Sequence, residues 1–462
     1  MFPKYRKLIF STFTIFFVVT TPFLIIYSLG YDVNLEKNSS ISNTLSIKVE
    51  TLPRGSSVYN KEFKIGNTPI DLKAADGQTI PIKIQTKDYV DENFLLRGEV
   101  NKNSIAVLSP ITLLPKNYNQ STELENTQIL SLLSSNTLLF YQNSKLYVQI
   151  YSFGGIQGKK EEVGYISKRE VMANKFWSAL SDNVYWNEED GFVLAKTENS
   201  WTLIDLRELP LEISSVVSTS DKQIVLLDTS TKLWTLNLSN KEMIFLDSGF
   251  LGIYRTLTPD NIWIWKGNDL FRLSRNTFNV QNFVLSDKVY SQTEGKNFTE
   301  YTLTSKIQNF EVASVFQGIV FKLGDTLYYK SDSDKSVWQT LANSVVVFSY
   351  DSNTVFWMDG DHNLFSYNLL YKIQENFGKI AVDTDLGDIK IFYYKNWSRI
   401  FIYTKNKTYS IWFDKDVINS SVLNYSNTLW IDSAICLPKV VDKFQFCVKE
   451  NKLVSFKNTA LW

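Results

Sequence analysis

The sequence predicts an all-β body behind a single N-terminal transmembrane helix. Three observations carry that expectation. Leu8–Leu29 (LIFSTFTIFFVVTTPFLIIYSL) runs 22 residues without a charged side chain. The chain holds 31 Phe, 24 Tyr and 12 Trp, and rings of this kind favour half-buried pleated surfaces. Finally, a phrase of two short apolar-aromatic runs around a polar turn recurs eight times between Asn136 and Asn458.

The helix comes first. At about 1.5 Å per residue, 8–29 reaches roughly 33 Å, enough for a hydrocarbon core of about 30 Å. Lys4, Arg6 and Lys7 precede it, whereas Asp32 and Glu36 stand against Lys37 behind it. Cations flanking a membrane helix stay on the cytoplasmic side, so 1–7 is predicted to be cytoplasmic and the body extracytoplasmic, in a single-pass cell-membrane protein. A cleavable signal peptide with Ser28-Leu29-Gly30 at its end is the rival, but its apolar core usually spans about 7–15 residues.

The 462 residues suffice for several cores. Lys plus Arg balances Asp plus Glu at 48 each, which removes the electrostatic case for a nucleic-acid partner. Only two cysteines occur, Cys436 and Cys447, in neighbouring strand-like runs. Either they form a disulfide that clips the last hairpin, or they are two small buried thiols. The sequence leaves both open.

Beyond a polar spacer, Leu45–Glu50 alternates with period two, as a strand covered on one face does. Turns follow at Pro53–Ser56, at Gly66–Pro69, with Gly66 expected to take positive φ, and at Asp76-Gly77. Ile80–Gln85 alternates again, and Asn93–Arg97 and Ser104–Leu113 complete the unit. Pro-x-Gly-Ser, then Gly-x-Thr-Pro, then an alternating strand leading toward Lys-x-Gly-Tyr is the pattern of the PEGA-domain family, which this stretch resembles. Pro53, Gly55, Ser56, Gly66, Thr68, Pro69 and Tyr89 match it, while Arg54 replaces its usual Glu and Asp88 its usual Gly. The resemblance spans 41–115 and implies a small extracytoplasmic β-sandwich serving attachment or spacing.

Residues 116–130 read as a polar linker and 131–462 as the repeat region. Phrases such as DNIWIWKGNDLFRLSR from Asp260 and NTVFWMDGDHNLFSYNL from Asn353 are hairpins, with turn chemistry between alternating strands. Their spacing of about 40–45 residues fits four-stranded propeller blades. A twisted blade buries both faces only between neighbours, and a ring supplies them. Uneven spacing leaves seven or eight blades.

Candidate chemistry is sparse. The one histidine, His362, lies in a turn, so an imidazole triad or histidine metal cluster has nothing to assemble from. Gly154–Lys160 misses phosphate-loop spacing by one residue and has Lys160 where Ser or Thr would hold Mg²⁺. Asp383, Asp385 and Asp388 form the weak calcium candidate, lacking the rest of a ligand loop, and no cofactor or metal is expected. Glu188-Glu189-Asp190 reads as a solvated hairpin tip, and Trp263, Trp265, Trp357 and Trp412 as core.

The expected function is non-catalytic: an extracytoplasmic binding platform for an envelope protein or cell-surface glycan. The alternatives are an enzyme acting on surface polysaccharide through acidic residues at the propeller axis, and a scaffold subunit of a membrane assembly.

Overall fold

The computed structural model describes all residues except 1–2, 29–30, 35–39, 76, 98–104, 109, 118–119, 124–127, 135–136, 144, 153–154, 157–159, 166–176, 182, 189, 198–199, 256–260, 276–277, 287, 292–309, 316–317, 332–338, 352, 381–388, 405–406, 414–422, 425–427, 433, 437–443, 451 and 458–462.

The helix α1 (Pro3–Ser28) is the one α-helix among them. Its described apolar side chains, among them Phe10, Phe13, Phe16 and Phe17, are 52–74% exposed. Thr14 and Thr20 return their hydroxyls to the carbonyls of Phe10 and Phe16, at 2.9 and 2.8 Å, and so present no free polar hydrogen. Among the described residues no helix is long and apolar enough to cross a membrane, so the expected span over 8–29 is not reproduced at that level.

Behind the helix, two sheets enclose one core. The first pairs Ser40–Val49 with Ile70–Ala75 and with Ile105–Val107. The second runs Glu92–Arg97, Thr79–Gln85, Ser57–Asn60, Phe63–Asn67, with Leu423–Asn424 added on the side of Glu92–Arg97. Alternation decides what is inside: Ile47, Val49, Leu72, Ala74, Ile80, Ile82, Ile84, Phe94 and Leu96 all point into it.

Eight further sheets follow, and they form a propeller of eight blades. The first seven are antiparallel meanders, clearest in blade 3 (Ile213–Ser220, Gln223–Asp228, Lys232–Asn237, Met243–Ser248) and blade 6 (Val345–Asp351, Thr354–Asp359, Asn363–Asn368, Ile373–Lys379). Eight apolar clusters, each shared by two consecutive sheets, close the ring. The last joins Leu138 and Phe140 of blade 1 to Phe444, Phe446 and Leu453 of blade 8. First strands of neighbouring blades approach one another and therefore surround the axis. Second strands are the most buried, as in Gly318–Leu323, where every residue is buried; fourth strands such as Gln339–Ala342 form the exposed outer edge.

Closure uses chain from outside the repeats. Gln120–Glu123 pairs with Lys452–Lys457 and becomes the outer strand of blade 8. Part of 116–130, read as linker from its polarity, is thus a strand, and Gln128–Ser134 already opens blade 1. An outer strand faces water, so its polarity is what the position asks for.

Candidate functional site

Among the described residues three places are candidates for function: the junction of sandwich and propeller, the turns of the sandwich-side face, and the axis.

The junction is buried. Arg399 opens the second strand of blade 7 (Arg399–Tyr403), and its guanidinium pairs with Glu92 of the sandwich, both side chains at most 1% exposed. Arg399 also donates through Nε to the Thr112 carbonyl at 2.8 Å and through Nη1 to Ser410 Oγ at 3.2 Å. Desolvation pushes the Glu92 carboxyl above its ordinary range, and the Arg399 charge pulls it back. Around the pair, Phe94 meets Trp412 edge-on with centroids 6.1 Å apart, and Trp430 Nε1 donates to the Pro115 carbonyl at 2.9 Å. Leu423 and Asn424 of blade 7 pair with Leu96 and Leu95. The sandwich is therefore fastened to one face of blade 7, the face that carries first-to-second and third-to-fourth strand turns.

Two turns on that same face share one build. In blade 3, Asn237 Oδ1 accepts from the backbone N–H of Ser239 at 2.9 Å, and the Lys241 N–H returns to the Asn237 carbonyl at 2.9 Å. In blade 6, Asn368 Oδ1 accepts from the N–H groups of Leu370 and Tyr371 at 3.0 and 3.1 Å, and the Lys372 N–H bonds the Asn368 carbonyl at 2.8 Å. Lys241 and Lys372 both take left-handed backbone, at φ 57° and 55°. Leu238 and Leu369 are both buried beneath their turns. The sequences read Asn-Leu-Ser-Asn-Lys and Asn-Leu-Leu-Tyr-Lys. The Asn side chain holds the turn and the Leu is buried beneath it, whereas the two residues between meet the Asn side chain through backbone N–H groups. Blade 3 fills them with polar side chains. Blade 6 places Leu370 and Tyr371 there, 45% and 52% exposed, with Ile373 exposed beside them.

At the axis, Glu311 lies on the inner strand of blade 5 (Phe310–Val315), directly opposite Lys322 in the ladder. The two charges are 4.0 Å apart, with Lys322 nearly buried and Glu311 partly open. Desolvation raises the Glu311 carboxyl above its ordinary value, while Lys322 and Lys390 lower it.

The residues singled out from sequence fall as follows. Pro53, Gly55, Ser56 and Thr68 meet in one knot although they come from two turns. Ser56 Oγ donates to the Pro53 carbonyl at 2.9 Å, Ser56 N–H to Thr68 Oγ1 at 3.1 Å, and Gly55 N–H to the Thr68 carbonyl at 2.9 Å. Pro69 follows Thr68 through a cis bond. Gly66 does not take the positive φ expected of it; a Cβ there would stand 2.7 Å from Ile70 Cδ1, so a larger residue would need the tip of that side chain to shift. Asp88 takes φ 67°, and Tyr89 bridges to Pro115 and packs on the sandwich core. Cys436 and Cys447 are directly cross-strand and joined as a disulfide. Asp383, Asp385 and Asp388 lie outside the described residues, as do Glu189, Gly154 and 157–159. Among the described residues no three His, Cys, Asp or Glu groups gather as a metal site. His362 closes a turn with its N–H on the Asp359 carbonyl at 3.1 Å, and Trp263, Trp265, Trp357 and Trp412 are core. Sequence reading missed Leu370 and Tyr371, whose signal was the Asn-Leu-x-x-Lys pattern shared by two phrases.

No family model matches the chain, and no curated protein matches it. Among solved structures, it is similar to BamB from Moraxella catarrhalis at 10% identity and TM-score 0.39, covering 74% of this chain and 99% of that one. It is also similar to the C-terminal WD40 domain of Sif2 at 11% identity and TM-score 0.37, covering 74% and 97%. A third is YCF48 bound to D1 peptide, at 13% identity and TM-score 0.35, covering 63% and 94%. The class assigned here, an eight-bladed propeller fastened to a small sandwich, rests on the strand order of this chain.

Proposed function

We propose that the protein is a membrane-anchored, extracytoplasmic docking platform whose partner is another protein of the envelope. The single observation that carries the reading is the exposed Leu370-Tyr371 pair, on a turn whose counterpart in blade 3 holds Ser239 and Asn240. A large apolar side chain held rigid on a surface loses little entropy when it is covered, and Tyr is enriched at binding hot spots. The anchor is supported by the uncharged run Leu8–Leu29, by the Lys4, Arg6 and Lys7 bias, and by the exposure of the helix's described apolar side chains. The sandwich suits a spacer role, in keeping with its PEGA-like turns, because it stands between α1 and the propeller.

The test exchanges the two turns. Leu370→Ser with Tyr371→Asn gives blade 6 the chemistry of blade 3 and keeps the Asn368 scaffold. Full-length protein purified from its own membranes is expected to co-purify a defined partner, and the double variant to lose it. Equal recovery by both proteins would refute the reading.

A further inference from the structure

A second exposed ring lies at the far end of the sandwich. Outside α1, Phe63 is the most exposed large apolar side chain among the described residues, at 78%, and Ile65 beside it is 40% exposed. Both belong to the edge strand Phe63–Asn67, just past the Lys61-Glu62 turn, where Lys61 takes φ 54°. Register fixes the direction of this tip. Ser57 pairs with Gln85 and Tyr59 with Lys83, so the hairpin runs toward the Thr79 end of the neighbouring strand. That end is tied to Ala75 by the Gln78 N–H at 2.9 Å, Ala75 pairs with Thr44, and Asn43 pairs with Tyr31, where the chain arrives from α1. Glu92, fastened to Arg399, pairs with Ile84 at the opposite end. The ring is therefore on the α1 pole of the sandwich and the propeller on the other. Lys61 and Lys64 flank it, both exposed, and neither makes an ion pair among the described residues.

We propose that the Lys61–Ile65 hairpin tip seats in the surface of an anionic bilayer, with Phe63 at the acyl boundary and Lys61 and Lys64 on headgroup phosphates. The inference rests on the reading of α1 as an anchor. Aromatic rings suit that depth, and lysines beside them can keep their ammonium groups among anionic headgroups while their stems lie along the apolar boundary. A tip contact beside the tether gives the sandwich two points of support, so the propeller is held at a defined tilt.

The experiment uses the full chain with Phe63→Cys carrying a polarity-sensitive NBD dye, reconstituted into phosphatidylcholine vesicles with or without phosphatidylglycerol. Ser230→Cys, on the opposite face of blade 3, is the reference. Emission from position 63 is expected to shift to shorter wavelength, most in anionic vesicles, and to be quenched by lipids spin-labelled near the headgroup; position 230 keeps its water-like emission. Adding Lys61→Glu and Lys64→Glu should abolish the dependence on phosphatidylglycerol. Water-like emission at 63 from protein that resists carbonate extraction would overturn the tip contact and leave the anchor standing. Protein stripped by carbonate would instead overturn the anchor reading and this inference with it. A shift seen only in membranes carrying their native proteins would assign the tip to a protein partner, and would also overturn it.

Discussion

Arg399 and Glu92 are 307 positions apart in the chain and meet with almost no contact to water. A buried pair is weak as a source of net stability but costly to break, because the partner left behind is an uncompensated charge. Arg399→Met or Glu92→Ala alone is expected to lower stability by about 3–5 kcal/mol in denaturant unfolding. The double change, Arg399→Met with Glu92→Leu, should recover much of that loss; if both singles are mild, the pair is not what locks sandwich to propeller. Glu311 gives a pH prediction. Its folded pKa lies above the unfolded value, so the folded state holds the proton more tightly. Its contribution is full below about pH 4.5 and is lost as pH rises through the raised folded pKa. Melting temperatures of wild type and Glu311→Gln, which stays neutral, should therefore diverge as pH rises from 4 to 7, with the variant gaining. No such ion pair was legible in the sequence, since charge identity says nothing about which strands a ring will bring together.

At the scale of elements, hairpins were legible and blades only half so. Second and third strands alternate or run apolar because both faces are covered, as in Gln223–Asp228 and Thr354–Asp359. Fourth strands such as Gln339–Ala342 are at least half exposed and carry no such pattern, so such blades showed two strands of their four. The matching turns after Asn237 and Asn368 were hidden for a related reason: Asn, Leu and Lys are ordinary turn residues singly and become a motif only when two blades are superposed. The exchange Leu370→Ser with Tyr371→Asn should leave unfolding free energy within about 0.5 kcal/mol of wild type, since it removes only exposed contacts. The Cys436–Cys447 bridge closes a short loop in blade 8, separated by 11 positions. Cys436→Ser with Cys447→Ser, or reduction of the wild type, should lower stability by about 2–3 kcal/mol. Reductant should have no further effect on the variant.

For the whole molecule, the count of eight blades escaped the sequence because the last one is built from both ends of the propeller. Gln120–Glu123 supplies its outer strand while Phe444–Lys449 and Lys452–Lys457 supply its middle. A polar segment with four strand residues has no periodicity to announce it. Closing the ring this way makes the start and end of the propeller interdependent, and the buried junction at Arg399 extends that rigidity into the sandwich. The polarity of the chain follows: α1 at one pole, the sandwich between, and the propeller beyond, with the Leu370 turn on the face that also carries the sandwich. A partner docking there would sit on the side of the propeller that carries the sandwich.

The most direct measurement is photo-crosslinking in intact cells, with p-benzoylphenylalanine placed in the full chain at Tyr371 and, separately, at Ser239. Docking through blade 6 predicts one discrete crosslinked species from position 371 and none from the equivalent position in blade 3. No adduct from either position, or the same adducts from both, would contradict it.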